Sequence, residues 1–108
     1  TYAKKSYGQH FLTNESIAER ITTALAPFGP IDHLLEVGPG KGMLSKYLIE
    51  AFPTLIMVEA DQDMVDFLEA DTKFGTAQLI KKDFLKLDLL ALNGSRPLYI
   101  WDGSFSIR

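Results

Sequence analysis

Cysteine is absent from the 108 residues. That removes disulfides and thiolate metal sites, and it suits a reducing compartment. A basic excess is missing as well: the formal net charge is −3. Any nucleic-acid contact would therefore rest on local lysines rather than on overall charge. No apolar run approaches the roughly 18 residues needed to cross a bilayer. Lys4 and Lys5 are not followed by the apolar stretch of a signal peptide. Together these absences lead us to expect a cytoplasmic protein with no membrane partner and no metal. Repeats and low-complexity tracts are missing too. What is present is ordinary for a folded domain, with 46% hydrophobic and 23% charged residues. The length suits one domain and is short for a complete doubly wound sheet.

Residues 1–13 show no periodicity and read as an extended arm. Asn14 is a candidate N-cap for a first helix, with Ile17, Ala18, Ile21, Ala24 and Leu25 at helical spacing. Pro27, Gly29 and Pro30 end it. His33–Val37 is a short apolar run that stops at glycines, the pattern of a buried parallel strand. Met43, Leu44, Tyr47, Leu48 and Ala51 predict a second helical face. Thr54–Val58 predicts a second strand, ended by Glu59. Asp61 can cap a third helix with Met64, Phe67 and Leu68 inward, and Gln78–Ile80 predicts a third strand. Leu85–Leu92 suits a short helix or turn, and Pro97–Trp101 a fourth strand. Strands alternating with helices predict an α/β domain with a partial parallel sheet and right-handed crossovers, of Rossmann-like type. Ligands of such sheets bind beyond the carboxyl ends of the strands.

Gly38-Pro39-Gly40-Lys41-Gly42 falls between a predicted strand and helix. Glycine there allows sharp turning and a close approach of backbone to ligand, and a helix N-terminus offers unpaired N–H groups. A P-loop is excluded because Gly42, not Ser or Thr, follows Lys41. The dinucleotide fingerprint is broken by Met43 at its third glycine position. The pattern Glu36-x-Gly-x-Gly-x-Gly instead resembles the first motif of class I S-adenosylmethionine-dependent methyltransferases. Glu59 and Asp83 then stand at successive strand ends. A carboxylate at the first position can accept bonds from ribose hydroxyls. Either acid taken alone reads as a helix or turn cap. Asp61 and Asp63 read as first-turn acids of the third helix.

The arm is the most distinctive stretch. Lys4-Lys5-Ser6-Tyr7-Gly8-Gln9-His10-Phe11-Leu12-Thr13-Asn14 is similar to the opening signature of the ribosomal RNA adenine N6-dimethyltransferases, the kasugamycin-resistance enzymes of bacteria. With Glu36–Gly42, Val58–Asp61 and Lys82-Asp83, the resemblance spans residues 4–100. It implies S-adenosyl-L-methionine as cofactor and small-subunit rRNA, or its precursor particle, as partner. The implied reaction is dimethylation of two adjacent adenosines by a monomeric enzyme. It also implies that His10 and Leu12 fold over the cofactor. Gly38 and Gly40 would line its amino-acid end, Glu59 would hold the ribose, and Asp83 would meet the adenine. Read without the resemblance, the arm could stack on RNA through Tyr7 and Phe11 or simply pin itself to the core.

The family's catalytic motif, Gly-Asn-Leu/Phe-Pro-Tyr-Asn-Ile-Ser, follows the fourth strand. At that place this chain reads Trp101-Asp102-Gly103-Ser104-Phe105-Ser106-Ile107-Arg108. Asp102 stands for the Asn and Phe105 for the Tyr, as candidate hydrogen-bond acceptor and stacking ring for the target base. Either the catalytic motif is degenerate, or residues 101–108 are not native sequence. On this reading residues 14–108 form a partial cofactor-binding domain that stops before the later strands and a helical domain, and the fragment itself is inactive. Three alternatives stay open: the related macrolide-resistance methyltransferase of large-subunit rRNA, a non-catalytic RNA-binding or assembly module, and a nucleotide-dependent oxidoreductase that would bind NAD more tightly than S-adenosylmethionine.

Overall fold

The computed structural model describes residues 13–103 and the backbone of residues 105–107. Expectations for His10, Leu12 and the rest of the arm lie outside the described residues. Helix α1 (Asn14–Leu25) opens on Thr13, not on Asn14 as its cap. The Thr13 hydroxyl accepts from the Ser16 amide at 3.0 Å, and the Ser16 hydroxyl accepts from the Thr13 amide at 2.9 Å. This reciprocal box satisfies donors that the first helical turn otherwise leaves open. Asn14 is already helical. Ala18, Ile21 and Leu25 face inward, while Ala24 is exposed.

Four parallel strands follow: β1 (Leu34–Val37), β2 (Ile56–Glu59), β3 (Gln78–Lys81) and β4 (Tyr99–Trp101). Each of β1, β2 and β4 starts one or two residues later than the apolar runs suggest, and β3 runs one residue further. The helical connections are α2 (Ser45–Ala51), α3 (Gln62–Glu69) and the short α4 (Leu89–Asn93). A fifth strand, β5 (Phe105–Ile107), closes the sheet in the order β3-β2-β1-β4-β5. It pairs antiparallel to β4, with Trp101 opposite Phe105 and Tyr99 opposite Ile107. The sheet is therefore parallel in four strands and antiparallel at one edge. Gly103, at φ 105°, lies in the turn between them.

Both faces of the sheet are covered. Leu34, Met57 and Leu55 pack with α1, α2 and Leu68 on one side. Leu35, Ile56, Val58, Leu98 and Ile100 pack on the other, beneath Phe84, Leu87, Leu89 and Leu92. The two groups come from alternate positions along β1 and β2, as the two-residue period of a strand requires. Besides Ala24, three inward assignments are corrected, and the first is Ala51, which is exposed at the end of α2. Met43 precedes α2 and is exposed, because the chain is still in the glycine turn there. Phe67 is 50% exposed. Val65 and Leu68, three residues apart, form the buried stripe of α3, and Phe67 sits about 100° around the helix from Leu68. Its ring lies under the Lys41 ammonium, 5.8 Å from ring centroid to Nζ.

Candidate cofactor site

All four parallel strands deliver their carboxyl ends to one edge. The glycine turn occupies that edge between β1 and α2. Gly38 and Gly40 have φ of 69° and 59°, values that L side chains rarely adopt. Among the described residues, a Cβ at either position would meet nothing within 4 Å. The glycines are needed for backbone shape, and no described residue fills the space beside them. Gly42 differs. A Cβ there would sit 2.8 Å from Phe74 Cζ and 2.9 Å from Leu68 Cδ2. The back of the turn is thus pressed onto α3 and the Thr72–Phe74 turn, while its front is clear. The Gly38 amide donates to the Val58 carbonyl at 2.9 Å, which ties the start of the turn to β2.

Glu59 ends β2 and is nearly buried, at 9% exposure. Its Oε1 accepts from the Gly40 amide and its Oε2 from the Asp61 amide, both at 3.0 Å. A carboxylate offers about four acceptor positions, so these two bonds leave capacity for a ligand's hydroxyls. The Glu59 carbonyl also accepts from the Lys82 amide at 3.1 Å, which sets Asp83 directly beside the end of β2. Asp61 caps α3 as expected, accepting from Asp63 and Met64 amides. Asp83 is exposed and accepts from the Leu85 amide at 3.0 Å, capping a single turn over Phe84–Lys86. Gly38, Gly40, Glu59 and Asp83 are therefore brought to one edge. Asp102 reaches the same edge from the end of β4. Phe105 does not sit in a loop beside it, because its backbone is in β5 and paired with Trp101.

Glu36 is the functional candidate that spacing alone leaves as a motif letter. It lies mid-strand in β1 at 3% exposure, and its carboxyl accepts from the Ser45 hydroxyl at 2.5 Å. Burial pushes its pKa up from 4.5 to about 7, against the lowering effect of the Ser45 bond. The signal in the sequence was an acid inside an otherwise apolar strand. Among the described residues no group of His, Cys, Asp and Glu could hold a metal ion, and no helix is long and apolar enough to cross a membrane.

The family model for ribosomal RNA adenine dimethylase matches residues 1–98. The chain belongs to that family. Among its relatives, the ribosomal RNA small subunit methyltransferase A of Chlorobium limicola is 40% identical over 97 residues, covering 90% of this chain and 36% of the relative. That of Parabacteroides distasonis is 44% identical over 89 residues, covering 82% and 33%. The chain thus spans about a third of the length of the curated relatives it matches. Solved structures support the fold. An amino pentose methyltransferase from Micromonospora echinaspora aligns with TM-score 0.61 at 18% identity, over 82% of this chain and 37% of that one. An S-adenosylmethionine-dependent methyltransferase from Clostridium acetobutylicum aligns with TM-score 0.62 at 17% identity, over 81% and 39%. The fold is that of the Rossmann-like methyltransferases.

Proposed function

We propose that this chain is the S-adenosylmethionine-binding part of an adenine N6-dimethyltransferase acting on small-subunit rRNA in the bacterial cytoplasm. The carrying observation is the turn of Gly38 and Gly40 with a clear front, beside a Glu59 carboxylate with acceptor capacity left over. That arrangement fits an amino acid joined to a nucleoside. The turn receives the amino-acid end, Glu59 accepts from ribose hydroxyls, and Asp83 accepts from the adenine amine. His10 and Leu12 would close over the cofactor from the arm. When bound, the cofactor supplies a methyl group on a positively charged sulfur. An exocyclic adenine amine is a weak nucleophile because its lone pair is delocalised into the ring. An acceptor for its hydrogens and an aromatic platform beside it favour attack, and alignment supplies most of the rate. Asp102 is the acceptor at the end of β4, and Phe105, whose backbone is drawn into β5, is not assigned as the platform. The partner is the rRNA of the precursor small subunit, and the enzyme works as a monomer without metal.

One observation favours a second reading. The backbone after β4 turns into an antiparallel strand, where the family's catalytic loop belongs. On that reading the chain binds cofactor or RNA and does not transfer methyl groups. Calorimetry with S-adenosylmethionine and with NAD tests the cofactor: tighter binding of NAD overturns the proposal. Methyl transfer to undermethylated small subunits tests the reaction. Binding with little transfer is expected of the 108-residue chain, and robust transfer excludes the second reading.

A further inference from the structure

Glu36 occupies a position where an apolar residue would serve the fold better. Its in-register neighbours are Met57 on β2 and Trp101 on β4, and α2 presents Ser45 to it. None of these ionises. A buried carboxyl without a cationic partner carries a desolvation penalty, and replacing such groups by apolar ones is often neutral or stabilising. What the carboxyl does hold is the Ser45 hydroxyl. Glu36 lies two residues before Gly38 and Ser45 three residues after Gly42, so their hydrogen bond spans the whole glycine turn. Other bonds act on the turn as well: Val58 and Glu59 on β2 hold Gly38 and Gly40, Phe74 backs Gly42, the Gly42 amide donates to the Pro39 carbonyl at 2.9 Å, and the Lys46 amide of α2 donates to the Gly42 carbonyl at 3.0 Å. Beside the apolar packing of Leu34 with Leu48 and Ile49, the Glu36–Ser45 bond is, among the described residues, the side-chain hydrogen bond that joins the two elements the turn connects.

We propose that Glu36 is a positioning residue for the cofactor site, acting through Ser45 to fix the first turn of α2 against β1 and so hold Gly38–Gly42 in the form that receives the ligand. The inference rests on the cofactor reading above. The raised pKa adds a readout, because near neutrality Glu36 is divided between its acid and ionised forms. S-Adenosylmethionine carries a net positive charge, and a bound cation favours the ionised carboxyl. Other charged groups at this edge are Glu59, Asp61, Asp83 and Asp102, with Lys41 and Lys46 on the turn and α2. They are left unchanged in the variants below.

The test is calorimetry of the 108-residue chain with S-adenosylmethionine and S-adenosylhomocysteine, beside thermal melts. Glu36→Leu and Ser45→Ala are expected to bind both ligands at least tenfold more weakly; Glu36→Leu melts at or above the parent, and Ser45→Ala, which leaves the buried carboxyl without its donor, melts lower. Glu36→Gln and Ser45→Thr keep the bond and are expected to bind within about threefold of the parent. Between pH 6 and 7.5 the parent's affinity for S-adenosylmethionine rises several-fold relative to that of Glu36→Gln. Should Glu36→Leu fail to fold, Ser45→Ala, which removes one oxygen, carries the test alone. Parent-like affinity in Ser45→Ala or Glu36→Leu overturns the proposal and leaves the cofactor reading standing. No binding of either ligand by the parent chain overturns the cofactor reading, and this inference with it.

Discussion

The Gly40 amide donates to Glu59 Oε1 at 3.0 Å, so one carboxylate at the end of β2 braces the turn that follows β1. The same carboxylate accepts from Asp61 through its other oxygen. A side chain assigned to a ligand is thus also part of the scaffold that shapes the ligand site. Substitution there has two effects that can be separated.

Glu59→Ala leaves two partly buried amides without their acceptor. An unsatisfied buried donor costs about 1–3 kcal/mol, so urea unfolding is expected to show a loss of that order. Glu59→Gln keeps one acceptor oxygen and loses less stability. Both variants are expected to bind S-adenosylmethionine at least tenfold more weakly. Parent-like affinity in Glu59→Ala would remove Glu59 from the ligand site.

The glycines of the turn are not equivalent. Gly42→Ala drives a Cβ into Phe74 and Leu68, and overpacking of this kind costs about 1–3 kcal/mol. Its melting temperature is expected to fall clearly. Gly38→Ala meets none of the described residues and pays for its positive φ, about 1 kcal/mol. It is expected to lose ligand affinity out of proportion to stability, as paired melts and calorimetry will show.

Stability should depend on pH through Glu36. Its folded pKa of about 7 lies above the ordinary 4.5. The folded state therefore holds a proton that the unfolded chain releases between those values. The contribution to stability is full below pH 4.5, falls as pH rises to 7, and is level above that. The fall is about 3 kcal/mol if no other group intervenes. Urea midpoints at pH 5 and pH 7.5 measure it, and Glu36→Gln should abolish most of the difference.

The two faces of α3 give a sharper check on packing. Leu68→Ala is expected to cost about 2–5 kcal/mol, because the side chain is 1% exposed. Phe67→Ala is expected to stay within about 0.5 kcal/mol, apart from a small term for its contact with Lys41. Equal losses in the two variants would contradict the observed orientation of the helix.

Periodicity was enough to place the parallel strands and the helices between them, because buried runs such as Leu34–Val37 stop at glycine or at an acid. It was not enough to orient α3. Over a helix of eight residues, Met64, Phe67 and Leu68 satisfy helical spacing as well as Val65 and Leu68 do, and only the packing against β2 and β3 decides between them. Cap assignment failed at Asn14 because Thr13 and Asn14 are both good caps, and the bond to Ser16 selects Thr13. Glu59 and Asp83 were legible from their places at strand ends. The role of Glu36 was not, since its partner Ser45 lies beyond the turn and carries no signal of its own. The antiparallel β5 escaped notice because its side of the sheet is set by the Gly103 turn rather than by hydrophobic spacing.

The strand order also governs how the chain assembles. β1 is central, yet its partner on one side is β4, which pairs residue 34 with residue 99. During synthesis β1 can find β2 early, while its other edge waits until residues 99–101 have emerged. Long-range parallel pairing of this kind is slow because loop closure comes before any reward from contacts. Until β4 docks, Leu34, Leu35 and Val37 present an unpaired apolar edge, open to annealing with another chain. Expression yield should therefore be limited by this interval, and co-translational chaperone capture should concentrate on nascent chains that have released β1 but not yet β4.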